Sequence, residues 1–291
     1  MDKSCACTGV RWCANCRDPL VREFHRMDDP VQIPELLSTR PTRPTHAGSN
    51  PQGQIHDFDL DLQSAPSHPT FQGVHVFRDF LSAGEAEQLM AEIQEAPFLP
   101  AQSGKLKQHY GPKVNFNKQK VNAAAFRGLP KYVSRIESRL RELTSQDLAG
   151  DPMNNAALRT ALETFKPTDA FVLRYFEQDA SNLDFHRDDT FAYGEVILDL
   201  SLESDSVLTF LECNEAAPKT SQWTCVRVPL PARSLAVLYG SGRFTWDHAI
   251  LAYDIAETRT SVTLRTLSEG LRESDAGKQI LDIARGDRIP D

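Results

Sequence analysis

The 291-residue chain has no apolar run approaching the ~18 residues of a membrane span. Its first residues, MDKSCACTGV, lack the apolar core of a signal peptide. Together these absences predict a protein that works in the cytoplasm and nucleus, away from membranes. A basic excess is missing too: 32 Lys and Arg stand against 40 Asp and Glu, a formal net charge of −8. A protein whose main task is to coat nucleic-acid phosphates needs the opposite balance, although a local basic groove is compatible with it. Six cysteines are too few for a disulfide scaffold in a chain this long. No internal repeat is visible, and a monomer is expected.

What cysteine there is lies bunched. Cys5, Cys7, Cys13 and Cys16 fall within CACTGVRWCANC. A Cys-x-Cys…Cys-x-x-Cys set suits tetrahedral Zn²⁺, with turns bringing the two pairs to one point. This predicts a metal knuckle over 1–20; a reduced terminus with reactive thiols is the bland alternative. Cys213 and Cys225 stand alone and read as inert. Residues 21–70 are rich in Pro and His, as in STRPTRPTHAGSNPQGQ, and read as a linker with little core of its own.

The folded domain is expected over 71–270. Ser82 and Glu85 form a Ser-x-x-Glu capping box ahead of Ala86, Leu89, Met90 and Ile93, one apolar helical stripe that Pro97 stops. Further helices are predicted over 130–143 and 154–165. After Pro167 short β-rich runs follow one another: AFVLRYF, EVILDLSL, SVLTFLE, CVRVPL, SLAVLYG, RFTWDHAIL and TRTSVTLRTL. Such spacing predicts a mainly β sandwich or barrel with flanking helices. The tail, 271–291, is polar, with one helix around GKQILDIARG.

One stretch, LDFHRDDT, concentrates chemistry. A kinase catalytic loop would place Asn five residues after Asp188, where Tyr193 stands, and no Gly-rich loop or strand lysine precedes it. The metal reading fares better. In extended chain, residues two apart share a side, so His186 and Asp188 can grip one ion while Asp189 faces away. A non-haem iron face needs a second histidine, and the β-rich half holds only one other, His248. Taken alone, His248 reads as a strand histidine satisfied by hydrogen bonding. The pair upstream and the arginines downstream reverse that reading. Arg259 and Arg265, six apart in RTSVTLR, share a strand face with Ser261 and Thr263. Arginine is also the residue whose planar fork anchors a carboxylate.

His186-x-Asp188, His248 and Arg259-x5-Arg265, in this order on short strands, resemble the AlkB family of Fe(II)/2-oxoglutarate dioxygenases. The resemblance covers about 70–270 together with the cysteine cluster. It implies a double-stranded β-helix (jelly roll), with His186, Asp188 and His248 as iron ligands and catalytic centre. Arg259 would pair with the far carboxylate of 2-oxoglutarate, Arg265 would support it, and Tyr175 would hydrogen-bond the co-substrate. The chain reads Leu173-Arg174-Tyr175 where the family often has Asn-x-Tyr, so one polar contact to 2-oxoglutarate is missing or replaced. Fe(II), 2-oxoglutarate and O₂ are implied, with Zn(II) at the cysteines. The implied reaction decarboxylates 2-oxoglutarate to succinate and hydroxylates an N-methyl group that leaves as formaldehyde.

The substrate lid is expected over 105–120, with Lys105, Lys107, Lys113, Lys118 and Lys120 around Tyr110 and Phe116 and no acidic residue. Basic and aromatic residues together suit a nucleic acid, yet the same lysines suit an acidic protein surface. The resemblance implies methyl-lysine on a protein such as actin, with N6-methyladenine in DNA as the second class. The net charge favours protein. A catalytically silent interaction module is the alternative of another kind; it calls for a broken triad, and all three ligands are present.

Overall fold

The computed structural model describes residues 52–146, 156–212 and 222–286. The cysteine knuckle, with Cys5, Cys7, Cys13 and Cys16, lies outside them, as does Cys213.

Two sheets make the body. The larger, seven-stranded, runs in the order β2 (Val74–Phe77), β12 (Leu235–Leu238), β9 (Tyr193–Glu203), β14 (Thr258–Leu267), β7 (Asp169–Phe176), β4 (Leu106–Tyr110) and β3 (Leu99–Pro100). The smaller runs β1 (Gln52–Asp57), β11 (Gln222–Leu230), β10 (Ser206–Glu212), β13 (Trp246–Ile250) and β8 (Leu183–His186). A separate hairpin pairs β5 (Lys113–Asn115) with β6 (Lys120–Asn122).

Period-two alternation sorts the side chains of the larger sheet into two cores. Leu198 and Leu200 on β9, Val262 and Leu264 on β14 and Val172 on β7 point outward. There they meet α1 (Ala83–Glu95), α2 (Lys131–Gln146) and α3 (Ala156–Glu163). Ile197, Leu173 and Tyr175 point the other way and pack against Leu208, Phe210, Val226, Val228 and Ile250 of the smaller sheet. The result is the expected jelly roll with helices covering one side. The α1 cap forms as read: Glu85 N–H donates to Ser82 Oγ at 3.3 Å and Ser82 N–H to Glu85 Oε2 at 2.8 Å. No helix among the described residues is long and apolar enough to cross a membrane.

Three expectations need correction. The linker over 21–70 gives way to folded chain from Gln52: β1 pairs parallel with β11, and Phe58 and Ala65 are buried. An edge strand that gains its hydrogen bonds from a remote partner leaves no local pattern. The folded body also runs past 270, and the helix expected in the tail is present. After α4 (Gly240–Phe244) and α5 (Glu269–Arg272), α6 (Asp275–Arg285) buries Ile280 and Ile283 against Phe126, Leu267 and Leu271. Lastly, the β runs SLAVLYG and RFTWDHAIL are interrupted, because α4 occupies the chain between β12 and β13. Gly73 and Gly242 allow this close seat: a Cβ on Gly242 would lie 2.6 Å from Gly73 O.

Candidate active site

His186 ends β8 and His248 sits mid-β13, and the two are direct cross-strand partners. Their rings lie 4.5 Å apart between centroids. Asp188 follows two residues on, in the loop beyond β8, buried beside them. One ligand atom from each of the three falls within 4.8 Å of the others. His248 Nε2 and Asp188 Oδ2 are 3.7 Å apart, too far for a hydrogen bond. His186 Nδ1 lies 2.8 Å from Asp184 O and must donate to that carbonyl, which turns the lone pair of Nε2 outward.

The electrostatics suit a cation. Burial would raise the Asp188 pKa, but Arg265 and the two histidines pull it down to about 2. Burial and the neighbouring His186 lower His248 to about 3, against the pull of Asp188. An ionised carboxylate and neutral imidazoles are the states a metal needs. Two imidazoles and one carboxylate on one side of an ion form the donor set of a non-haem Fe(II) centre with open positions. The residues therefore fit iron.

Behind the ligands runs a chain of charge. Arg265 Nε lies 2.8 Å from Asp188 Oδ1, and its Nη1 is 3.1 Å from Asp169 Oδ1. Asp169 Oδ2 in turn meets His109 Nε2 at 2.6 Å. Arg265 also stacks over Tyr193 at 4.8 Å. Arg265 thus lines the cavity and touches the metal ligand itself, a contact beyond the co-substrate support expected of it. A second arginine was not legible. Arg243, in α4 and fully buried, donates to the carbonyls of Asp188 (2.8 Å), Asp189 (3.3 Å), Gly194 (3.3 Å) and Tyr193 (3.4 Å). It clamps the loop that carries Asp188. Asp189 also lines the cavity but caps that loop, accepting from Ala192 N–H at 2.8 Å.

The cavity floor is one face of β9, β14 and β7. Arg259, Ser261, Thr263 and Arg265 line it in the expected alternation, with Tyr175 directly across from Arg259. Tyr175 is buried, its phenol pKa raised by that burial, and its ring lies 5.3 Å from the Arg259 guanidinium. Leu173 lines the same wall. Arg259 is 1% exposed and already has partners: Ser201 Oγ at 3.1 Å and Asp199 Oδ2 at 2.9 Å. Asp199 was missed, because it shares its β9 face with Glu195, Ser201 and Glu203 and does not stand out there. The cavity is about 830 Å³. That is ample for a small molecule and leaves room for part of a second.

The lid divides. Lys113 and Phe116, on the β5–β6 hairpin, reach the cavity, and Phe116 comes within 6.4 Å of Tyr193. Lys118 and Lys120 are exposed on the same hairpin. The other three correct the expectation. Lys105 is buried, donates to Asn182 O and sits 5.7 Å from the Tyr175 ring. Lys107 is half-buried on β4 and does not line the cavity. Tyr110 packs toward the helix-side core and donates to Gln108 Oε1. For Tyr110, strand alternation along β4 is the reason: it turns His109, not Tyr110, to the cavity. Cys225 is a buried free thiol whose pKa is raised by burial.

The sequence matches the 2OG-Fe(II) oxygenase superfamily over residues 73–265. It is 31% identical to the human protein named alpha-ketoglutarate-dependent dioxygenase alkB homolog 4, covering 97% of this chain and 93% of that protein. The mouse protein of the same name is 30% identical, over 97% and 94%. A Caenorhabditis elegans protein named DNA N6-methyl adenine demethylase is 26% identical, over 94% and 89%.

Proposed function

The chain belongs to the AlkB family of the 2OG-Fe(II) oxygenase superfamily and is a 2-oxoglutarate-dependent dioxygenase; on that premise we propose that it removes N-methyl groups oxidatively, from methyl-lysine in a protein. The observation that carries this reading is the shared cavity. Its floor holds a carboxylate anchor, its rear a three-ligand metal face, and its mouth a basic hairpin.

His186, Asp188 and His248 would hold Fe(II). The bound iron would supply O₂ activation coupled to decarboxylation of 2-oxoglutarate. The rest falls to this chain's own residues. Arg265 keeps Asp188 ionised and oriented, and Arg243 holds the loop in place. Arg259 offers its charge to the far carboxylate, with the Tyr175 ring beside it. Phe171, Leu183, Leu208 and Ile250 give the cavity apolar walls that exclude water and suit an aliphatic stem.

The net charge of −8 opposes a phosphate backbone and favours a protein partner. Exposed Lys113, Lys118 and Lys120 complement an acidic surface such as that of actin. DNA carrying N6-methyladenine is the second reading, favoured by the name of the Caenorhabditis elegans relative. Formaldehyde release from methyl-lysine protein and from methylated DNA, measured side by side, decides between them. Release from DNA alone would overturn the protein reading.

A further inference from the structure

We propose that Asp199 is a built-in competitor of the co-substrate: its carboxylate occupies Arg259, and the far carboxylate of 2-oxoglutarate must displace it to bind. The inference rests on the co-substrate reading above and adds a determinant of affinity within the same site.

The geometry is specific. Arg259 presents one edge, formed by Nε and Nη2, to β9. Ser201 Oγ takes Nε at 3.1 Å and Asp199 Oδ2 takes Nη2 at 2.9 Å. The other oxygen of Asp199 is held as well, accepting from Thr263 Oγ1 at 2.9 Å. Register explains the meeting. Asp199 is the direct partner of Thr263 and Ser201 of Ser261, which brings both to the β14 face that carries Arg259. Asp199 and Arg259 both line the cavity, and Arg259 is 1% exposed.

Two consequences follow from ordinary electrostatics. A buried guanidinium without a partner is strongly destabilising. Asp199 supplies that partner in the free protein and keeps Arg259 aimed across the floor. An incoming dicarboxylate then meets a like charge at the anchor and must break an ion pair before it makes its own. Asp199 therefore stabilises the free site and weakens the bound one. A 2-oxo acid with no far carboxylate does not contest Arg259, so Asp199 leaves its binding unaffected.

The test uses the full chain loaded with Mn(II), which binds without turnover, titrated calorimetrically with 2-oxoglutarate and with pyruvate. Asp199→Asn keeps the shape and removes the charge; Asp199→Ser serves if that variant does not fold. The expected result is about tenfold or more tighter binding of 2-oxoglutarate by the variant, unchanged pyruvate binding, and a lower thermal midpoint for the ligand-free protein. Equal or weaker binding of 2-oxoglutarate by the variant would overturn the proposal alone. So would an equal gain for pyruvate. Binding of neither acid by either protein would overturn the co-substrate reading itself.

Discussion

Arg265 touches two carboxylates at once, Asp188 at 2.8 Å and Asp169 at 3.1 Å, and through Asp169 it reaches His109 at the cavity wall. Groups that orient a metal ligand commonly change metal affinity by about 10–100-fold when removed. Arg265→Gln should therefore weaken Co(II) binding by a factor in that range while the protein stays folded. Unchanged affinity would show that Asp188 needs no such partner. The sequence placed this arginine on the cavity face of its strand, but its contact with Asp188 was not readable. Its partner, Asp188, lies on another strand's loop, and only the closure of the two sheets brings them together. His109 and Asp169 were unreadable for the same reason: each is an ordinary strand residue until β4, β7 and β14 lie side by side.

Among the elements, α4 matters beyond its five residues. It sits between β12 and β13, packed on the backbone at Gly73, and sends Arg243 into the loop after β8. That side chain makes four bonds to backbone carbonyls in a fully buried place. Replacing it by methionine would leave those carbonyls without their donor and free the loop. Arg243→Met should lower stability by about 2–4 kcal/mol, read from urea unfolding, and should weaken metal binding in parallel. A variant as stable as the parent would mean that the loop is fixed by other contacts. The β5–β6 hairpin is the second element with a clear role. Changing Lys113, Lys118 and Lys120 together to glutamine should reduce turnover of an intact methyl-lysine protein. If the hairpin tracks phosphates instead, the same change should flatten the salt dependence of DNA binding by a slope of about 2–3. Binding measured across a salt series separates the two.

At the scale of the whole molecule, the legible features were those with a local period or a short spacing. The His186-x-Asp188 pair, the alternation of Arg259, Ser261, Thr263 and Arg265, the α1 capping box and most strands of the second half could be read from neighbours in the chain. What could not be read depends on which strands become adjacent. β1 inside a Pro-rich stretch, the pairing of Asp199 with Arg259 and the burial of Lys105 beneath Tyr175 are of this kind. The central claim is that His186, Asp188 and His248 form one iron centre that consumes 2-oxoglutarate, and it can be tested without knowing the substrate. Succinate formed from 2-oxoglutarate by the full chain with Fe(II) and O₂ should be measurable for the parent protein. It should be preserved in large part for Asp189→Asn, whose carboxylate faces Ala192, and abolished for Asp188→Asn. Succinate formation that survives Asp188→Asn and disappears with Asp189→Asn would contradict the account.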